Sequence, residues 1–315
     1  MGTINLIKRK INKYRFIKRK LVYYRDWIMA HIYPKYLANQ VYRYIFKKDI
    51  NWKNPTNLIE KIYWLQLNTD TSLWTLCADK YRVRQFVEER GCGEILNKLY
   101  GVWNNADEID FDSLPNSFVL KTNNSCGQII LVKDKKELDI ADAKRKLKTW
   151  MNTTYGYQGA QLHYTRIKPC IIAEELLSDN NNAEASLTDY KIWCFNGKAE
   201  FILIVYDRGW DDSGSNKYLL STYDLEWNNT SALTLKTNNQ HYSGASIPKP
   251  TSLKEMIEYA QKLSKGMPEC RVDFYEINGK PIFGEMTFTT GYGYFTNDFY
   301  EYLGSKIDLQ NYIKK

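Results

Sequence analysis

RVDFYEINGKPIFGEMTF, Arg271 to Phe288, decides the fold: two strand-like runs meet at Asn278-Gly279, the strongest short hairpin signal. Arg271, Asp273 and Glu285 sit in runs otherwise built of Val, Phe, Tyr, Ile and Met. A charge in an apolar strand is costly unless it is paired or coordinated. A plain two-residue loop would set Asp273 opposite Gly284 and send Glu285 to the other face. A three-residue loop, Ile277-Asn278-Gly279 with Gly279 left-handed, instead puts Arg271, Asp273, Glu285 and Thr287 on one face. The prediction is the three-residue loop. Hard oxygen donors so placed suit Mg²⁺, which takes one or two carboxylates plus phosphates. An ordinary hairpin with a charged solvent face is the plain alternative.

The chain of 315 residues is long enough for one large core or two modest ones. With 43% hydrophobic and 15% aromatic residues it is a folded protein rather than a disordered one. Its 25 Tyr and nine Trp suit amphipathic surfaces or sugar contacts, and packing alone also accounts for them. Six scattered Cys without a CxxC pair, and only three His, argue against zinc and for reduced thiols. No apolar run reaches a spanning length and no signal-peptide core follows the start, so the expectation is a cytoplasmic protein.

The basic end is the N-terminus. Lys8, Arg9, Lys10, Lys13, Arg15, Lys18, Arg19, Lys20 and Arg25 precede the first acid, Asp26, and account for the net charge of +8. Ile7, Ile11, Tyr14, Ile17 and Leu21 recur at three- and four-residue steps, which predicts a basic amphipathic helix over 7–25. Two readings stand level: peripheral contact with an anionic membrane, or a solvated helix packing its stripe on the body. Nucleic acid is not expected, because no binding motif accompanies the charge.

Four segments are expected: 1–50 as the basic helical extension, 51–117 as a helical or mixed domain, 118–178 as a small lobe and 179–315 as a large lobe. Thr56 or Asn57 should cap a helix with Glu60 in its first turn. Asp79 should cap another carrying Lys80, Arg82 and Arg84, whose charges oppose the helix dipole and therefore suggest a ligand. FVLKTNNSCGQIILV, 118–132, reads as strand, polar loop and strand, with Lys121 at the strand's end. A loop of small residues such as Asn124, Ser125 and Gly127 can cradle phosphates through backbone N–H groups, although this is not a Walker A motif. KPCIIAEELL gives a buried strand ending in Glu174 and Glu175, and DYKIWCFNGKAEFILIVYDR a second hairpin with Lys191 in its apolar run. The stretch 209–250 is polar and predicts a surface excursion, and 253–267 an amphipathic helix stopping at Gly266.

In this order DKYRVR, FVLKTNN, IIAEELL, DYKIWCFNGK, RVDFYEINGK and FGEMTF resemble the ATP-grasp fold, and more closely its TupA-like branch found with polysaccharide biosynthesis. The resemblance covers roughly Asn54 to Gly304. It implies an α+β protein whose two lobes hold ATP between antiparallel sheets, with an N-terminal basic helical extension. It implies that Lys80, Lys121 and Lys191 hold the ATP phosphates with the 124–127 loop, and that Glu174, Glu175 and Leu176 form the adenine hinge. It further implies Asp273, Glu285 and Thr287 on Mg²⁺, and Arg271 against the γ-phosphate. Thr287 stands where the family at large usually has Asn, which implies a second metal held differently. Ser125 and Cys126 stand where glycine is common, which implies a stiffer lid.

The activity implied is ligation of a carboxylate to an amine through an acyl phosphate. Phosphoryl transfer needs positioning and charge neutralisation rather than a covalent nucleophile. The expected substrate is a uronic-acid saccharide or amino acid of a cell-surface polysaccharide precursor, with Arg82, Arg84 and Arg208 as residues to hold it. A sugar or metabolite kinase is the alternative on the same fold. A glycosyltransferase or polysaccharide-binding protein is the alternative from another class.

Overall fold

The computed structural model describes residues 20–178, 186–210 and 216–312. The greater part of the predicted basic helix, 7–19, lies outside the described residues. Helix α1 occupies 20–32, and α2 (Pro34–Phe46) follows it directly. Helix α3 (Leu58–Asn68) starts as its sequence demands. Asn57 accepts from the Glu60 N–H while Glu60 reaches back to the Asn57 N–H, so two otherwise orphaned donors are satisfied reciprocally. Tyr42 joins this buried knot, donating to Glu60 at 3.1 Å and accepting from Asn57 at 2.6 Å. Helices α4 (Ser72–Ala78) and α5 (Val83–Glu89) complete the helical part. Lys80 and Arg82 fall in the turn between them rather than inside a helix. Asp79 still does capping work there, accepting from the Tyr81 and Arg82 N–H groups at 2.9 and 3.0 Å.

The small sheet is antiparallel and ordered β1 (Leu99–Trp103), β4 (Ile171–Glu174), β2 (Phe118–Thr122), β3 (Ile129–Val132). Its edge strand β1 comes from before residue 118, so the sheet reaches back beyond the 118–178 segment. Helix α6 (Ile140–Met151), capped by Asp139, covers one face. Phe118, Leu120, Val132, Ile171 and Ala173 pack there with Leu147 in a core of their own. Strand alternation therefore leaves Val119, Lys121, Ile129, Leu131, Ile172 and Glu174 on the opposite face.

The large sheet runs β7, β6, β5, β8, β9, all antiparallel. Strands β5 (Asp189–Phe195) and β6 (Lys198–Trp210) turn at Asn196-Gly197. Strand β7 (Asn216–Tyr223) lies inside the stretch expected as a surface excursion. The correction is physical: β7 is an edge strand whose one strand partner in the sheet is β6, with a single bridge from Leu220 to Tyr242 on its other side, so it tolerates a mixed composition. Strands β8 (Glu269–Ile277) and β9 (Lys280–Thr287) form the hairpin of the opening stretch. After the short helix α7 (Ser231–Thr234), helix α8 (Leu253–Ser264) closes one face of this sheet. Helix α9 (Asn297–Ser305) packs on α3. One core joins Leu58, Ile59 and Trp74 of the helical part to Trp193, Val272 and Phe288 of the large sheet.

Candidate active site

The hairpin meets the requirement set by its charges, but by another route. Ile277 pairs with Lys280, so the loop has two residues, Asn278 and Gly279, both left-handed at φ 52° and 75°. That is the turn Asn-Gly favours, because its twist matches the strands. The expected three-residue loop is therefore wrong. The extra residue sits further along, at Gly284: Phe274 pairs with Phe283, and Asp273 with Glu285. A Cβ on Gly284 would meet the Asp273 carbonyl oxygen at 3.0 Å, a tight contact that favours glycine at the bulge. Arg271 pairs with Thr287, Lys191 with Asp273 and Trp193 with Arg271. Five predicted residues, Lys191, Arg271, Asp273, Glu285 and Thr287, thus share one sheet face, with Trp193 beside them.

Asp273 is the hub, 2% exposed. Arg271 clamps it with Nε and Nη2, both at 2.7 Å, and Lys191 Nζ bonds its Oδ2. Burial alone would raise the Asp273 carboxyl, but Arg271 and Lys191 outweigh it and hold it below its ordinary value. Arg271 stays ionised for the complementary reason: Asp273, with Glu285 behind it, overcomes the cost of desolvating the guanidinium. Its remaining donors reach Thr287 Oγ1 at 3.1 Å and Thr290 Oγ1 at 2.8 Å, and its plane lies over the Trp193 ring. Glu285 is looser. One oxygen is 3.4 Å from Arg271 and accepts from Thr287 at 3.3 Å, the other is 3.9 Å from Lys80, and the side chain is 37% exposed.

Lys80 joins the lobes. Its Nζ donates to the Ser125 carbonyl at 2.6 Å, tying the 123–127 loop to the hairpin through Glu285. The loop is pinned from below as well. Asn123 donates to Asp79 and accepts from the Cys170 N–H at 2.7 Å, and Ser125 donates to Gln128 at 2.6 Å. Gly127 supplies a left-handed turn at φ 72°. Asn124 is buried, its amide N–H 3.4 Å from the Thr153 carbonyl and its Oδ1 without a partner among the described residues.

A second polar group lies on the open face of the small sheet. Glu174 is buried between Lys121, which bonds its Oε2, and Arg84 at 3.4 Å. Arg84 also grips the Asn97 side chain and carbonyl. Glu175 turns out to solvent while its N–H bonds the Lys98 carbonyl, and Leu176 is half-buried. Beside them Ile129 and Leu131 stand exposed on the same face as Lys121. Arg208 bonds Asp189, whose carboxylate is also 3.7 Å from Lys191, so it adjoins the first cluster. Arg82 does not join either group, since it is held by Asp79 and the Lys168 carbonyl.

Sequence reasoning missed Thr290, Asp189 and the Ile129–Leu131 patch. The run TFTTG, which starts on the last residue of β9, Thr287, was a usable signal for the first. For the others only the sheet pairings bring them beside the charges.

A profile of the family described as TupA-like ATP-grasp matches residues 60–308. The chain belongs to this family. Its two α+β lobes with antiparallel sheets are the ATP-grasp pair of lobes. Among solved structures it is similar to the L-amino acid ligase from Bacillus licheniformis, at 16% identity over 74% of this chain and 49% of that one, TM-score 0.45. It is also similar to D-alanine–D-alanine ligase from Bacillus anthracis, at 15% identity over 68% and 59%, TM-score 0.40. A third is N5-carboxyaminoimidazole ribonucleotide synthetase, at 13% identity over 74% and 51%, TM-score 0.40. The chain thus spans about half to three-fifths of these ligases' length. No curated protein matches it by sequence.

The donors fit a divalent cation in one sense. Glu285 presents a half-exposed carboxylate directly across the strand pair from Asp273, and hard oxygens on two strands suit Mg²⁺ completed by phosphate. Among the described residues no three His, Cys, Asp or Glu converge, so the protein alone would supply a minority of the ligands.

Proposed function

We propose that this TupA-like ATP-grasp protein is an ATP-dependent ligase that joins a carboxylate to an amine. The observation that carries the reading is the single cluster of Lys80, Lys191 and Arg271 around Asp273 and Glu285, with the Ser125 loop fastened over it. Three cations on three elements gathered about two carboxylates are more than stability asks for, and they match the charge of a triphosphate with Mg²⁺. The family match over residues 60–308 adds support.

In this reading the adenine stacks on Ile129 and Leu131, with Glu175 and Leu176 as the hinge that reads its edge. Lys121 and Lys191 hold phosphates, while backbone N–H groups of the Asn124–Gly127 loop cover them. Glu285, with Thr287 beside it, would hold Mg²⁺, and Asp273 would join it as Lys191 and Arg271 turn to phosphate; the ion would supply neutralisation of phosphate charge. Arg271, kept charged and rigid by Asp273 and Trp193, faces the transferred phosphoryl group. The substrate carboxylate oxygen bonds to the γ-phosphorus as the bond to ADP breaks. The amine then bonds to the acyl carbon, inorganic phosphate leaves, and the amine gives up its proton. Arg208 and Arg84 are the cations left to hold an acidic substrate. We place that substrate among uronic-acid saccharides or amino acids of cell-surface polysaccharide precursors, on the strength of the family.

The test is phosphate release from ATP and Mg²⁺ with panels of uronic acids and amino acids, singly and in pairs. Ligation predicts ADP and phosphate only when an acid and an amine are both present. Transfer to a hydroxyl without phosphate release would make it a kinase and overturn the reading.

A further inference from the structure

Helix α1 turns opposite faces to the protein and to solvent, and the solvent face is the apolar one. Asp26 and Ala30 are buried, and Tyr23 and Met29 pack against the main core. Tyr23 and His31 meet the ring of Tyr157 at 5.7 and 5.9 Å, fixing the helix to the body. On the far side Leu21, Tyr24, Ile28 and Ile32 follow at steps of three or four residues, and all four are exposed, Leu21 by 65% and Ile32 by 61%. Trp27, Tyr33 and Tyr36 stand exposed around them. A surface helix ordinarily presents charge where this one presents Leu, Ile and aromatic rings.

Charge identifies the occupant. The first 25 residues hold nine of the 44 basic residues and none of the 36 acidic ones, so the rest of the chain carries 35 against 36 and is nearly neutral. The sequence repeat Ile7, Ile11, Tyr14, Ile17 runs into Leu21 at the same helical spacing. An apolar stripe with Trp and Tyr at its margin, beside a dense cationic run, is complementary to an anionic lipid surface. No helix of the described residues is long and apolar enough to cross a membrane. We propose that α1 lies in the surface of an anionic bilayer, with Leu21, Tyr24, Ile28 and Ile32 at the headgroup–acyl boundary and the N-terminal Lys and Arg residues supplying the electrostatic attraction. The inference is independent of the reaction catalysed.

The test is co-flotation of the full-length protein with phosphatidylcholine vesicles, with and without phosphatidylglycerol. The wild type should float only with phosphatidylglycerol present and should be released by high salt. Two variants, Ile28→Glu/Ile32→Glu and Lys18→Gln/Arg19→Gln/Lys20→Gln, should each lower the bound fraction about tenfold. Neither should alter nucleotide binding in solution or the sedimenting mass. Absence of flotation, or flotation of the Ile28→Glu/Ile32→Glu variant equal to wild type, would overturn the proposal. So would a wild-type dimer that this variant turns into monomers, because a second copy would then be what covers the stripe.

Discussion

Asp273→Asn separates the role of the buried hub from that of its exposed neighbour. The substitution keeps the shape and removes the charge that faces both Arg271 and Lys191, each about 8% exposed. The two cations then keep only their longer contacts, Lys191 to Asp189 at 3.7 Å and Arg271 to Glu285 at 3.4 Å, with an amide between them. Deleting one partner of a buried ion pair typically costs about 3–5 kcal/mol, because the remaining charge stays desolvated. That corresponds to a drop in Tm of roughly 10 °C for a lobe of this size. Glu285→Gln removes the same charge from a side chain 37% exposed and 3.4–3.9 Å from its cations, and should cost less than about 1 kcal/mol. Both variants should lose ATP turnover. Thermal unfolding followed by circular dichroism, with turnover measured on the same preparations, tests the contrast. If Asp273→Asn lowers Tm no more than Glu285→Gln, the hub is not held by its charges and the account of the cluster fails.

Other consequences can be checked with the same assays. Glu269 is fully buried, neither oxygen accepts a well-formed hydrogen bond among the described residues, and burial raises its carboxyl well above the ordinary value, Arg271 and Trp193 opposing it only in part. A raised acid favours the folded state below its unfolded pKa and loses that contribution as pH climbs towards the folded value, so Glu269→Gln should gain Tm relative to wild type from pH 5 to pH 8; a pH-independent difference would refute this. Gly284→Ala drives a Cβ against the Asp273 carbonyl and should cost about 1–3 kcal/mol by denaturant midpoint, together with turnover. Lys80→Ala unties the Ser125 loop and should raise the KM for ATP about tenfold with little change in Tm, as steady-state kinetics would show. Asn57→Ala breaks the reciprocal cap and its bond to Tyr42, and should lower stability by about 1–2 kcal/mol without touching ATP binding.

Local chemistry made much of this legible. Asn278-Gly279 and Asn196-Gly197 announced their hairpins because few other pairs tolerate two successive left-handed residues. Asn57 with Glu60 announced a helix start, and charges stranded in apolar strands announced a site. The bulge was legible only as a need. Bringing Asp273 and Glu285 to one face required one extra residue, but a strand hides where that residue goes, and it went to Gly284 rather than to the loop. Strand β7 was hidden because an edge strand need not show the apolar alternation of a central one.

The order of turns, caps and charged positions belongs to the sequence itself, because each depends on a few neighbouring residues and their backbone preferences. Which charges meet was decided by the sheets. Lys191 comes to Asp273 across 82 residues, and Lys80 to Ser125 across 45. Lys121 and Arg84 turn instead to Glu174, and Arg82 to Asp79. Pairing over such distances is set by strand register and by the burial of two separate cores, and those exist only once the whole chain has folded.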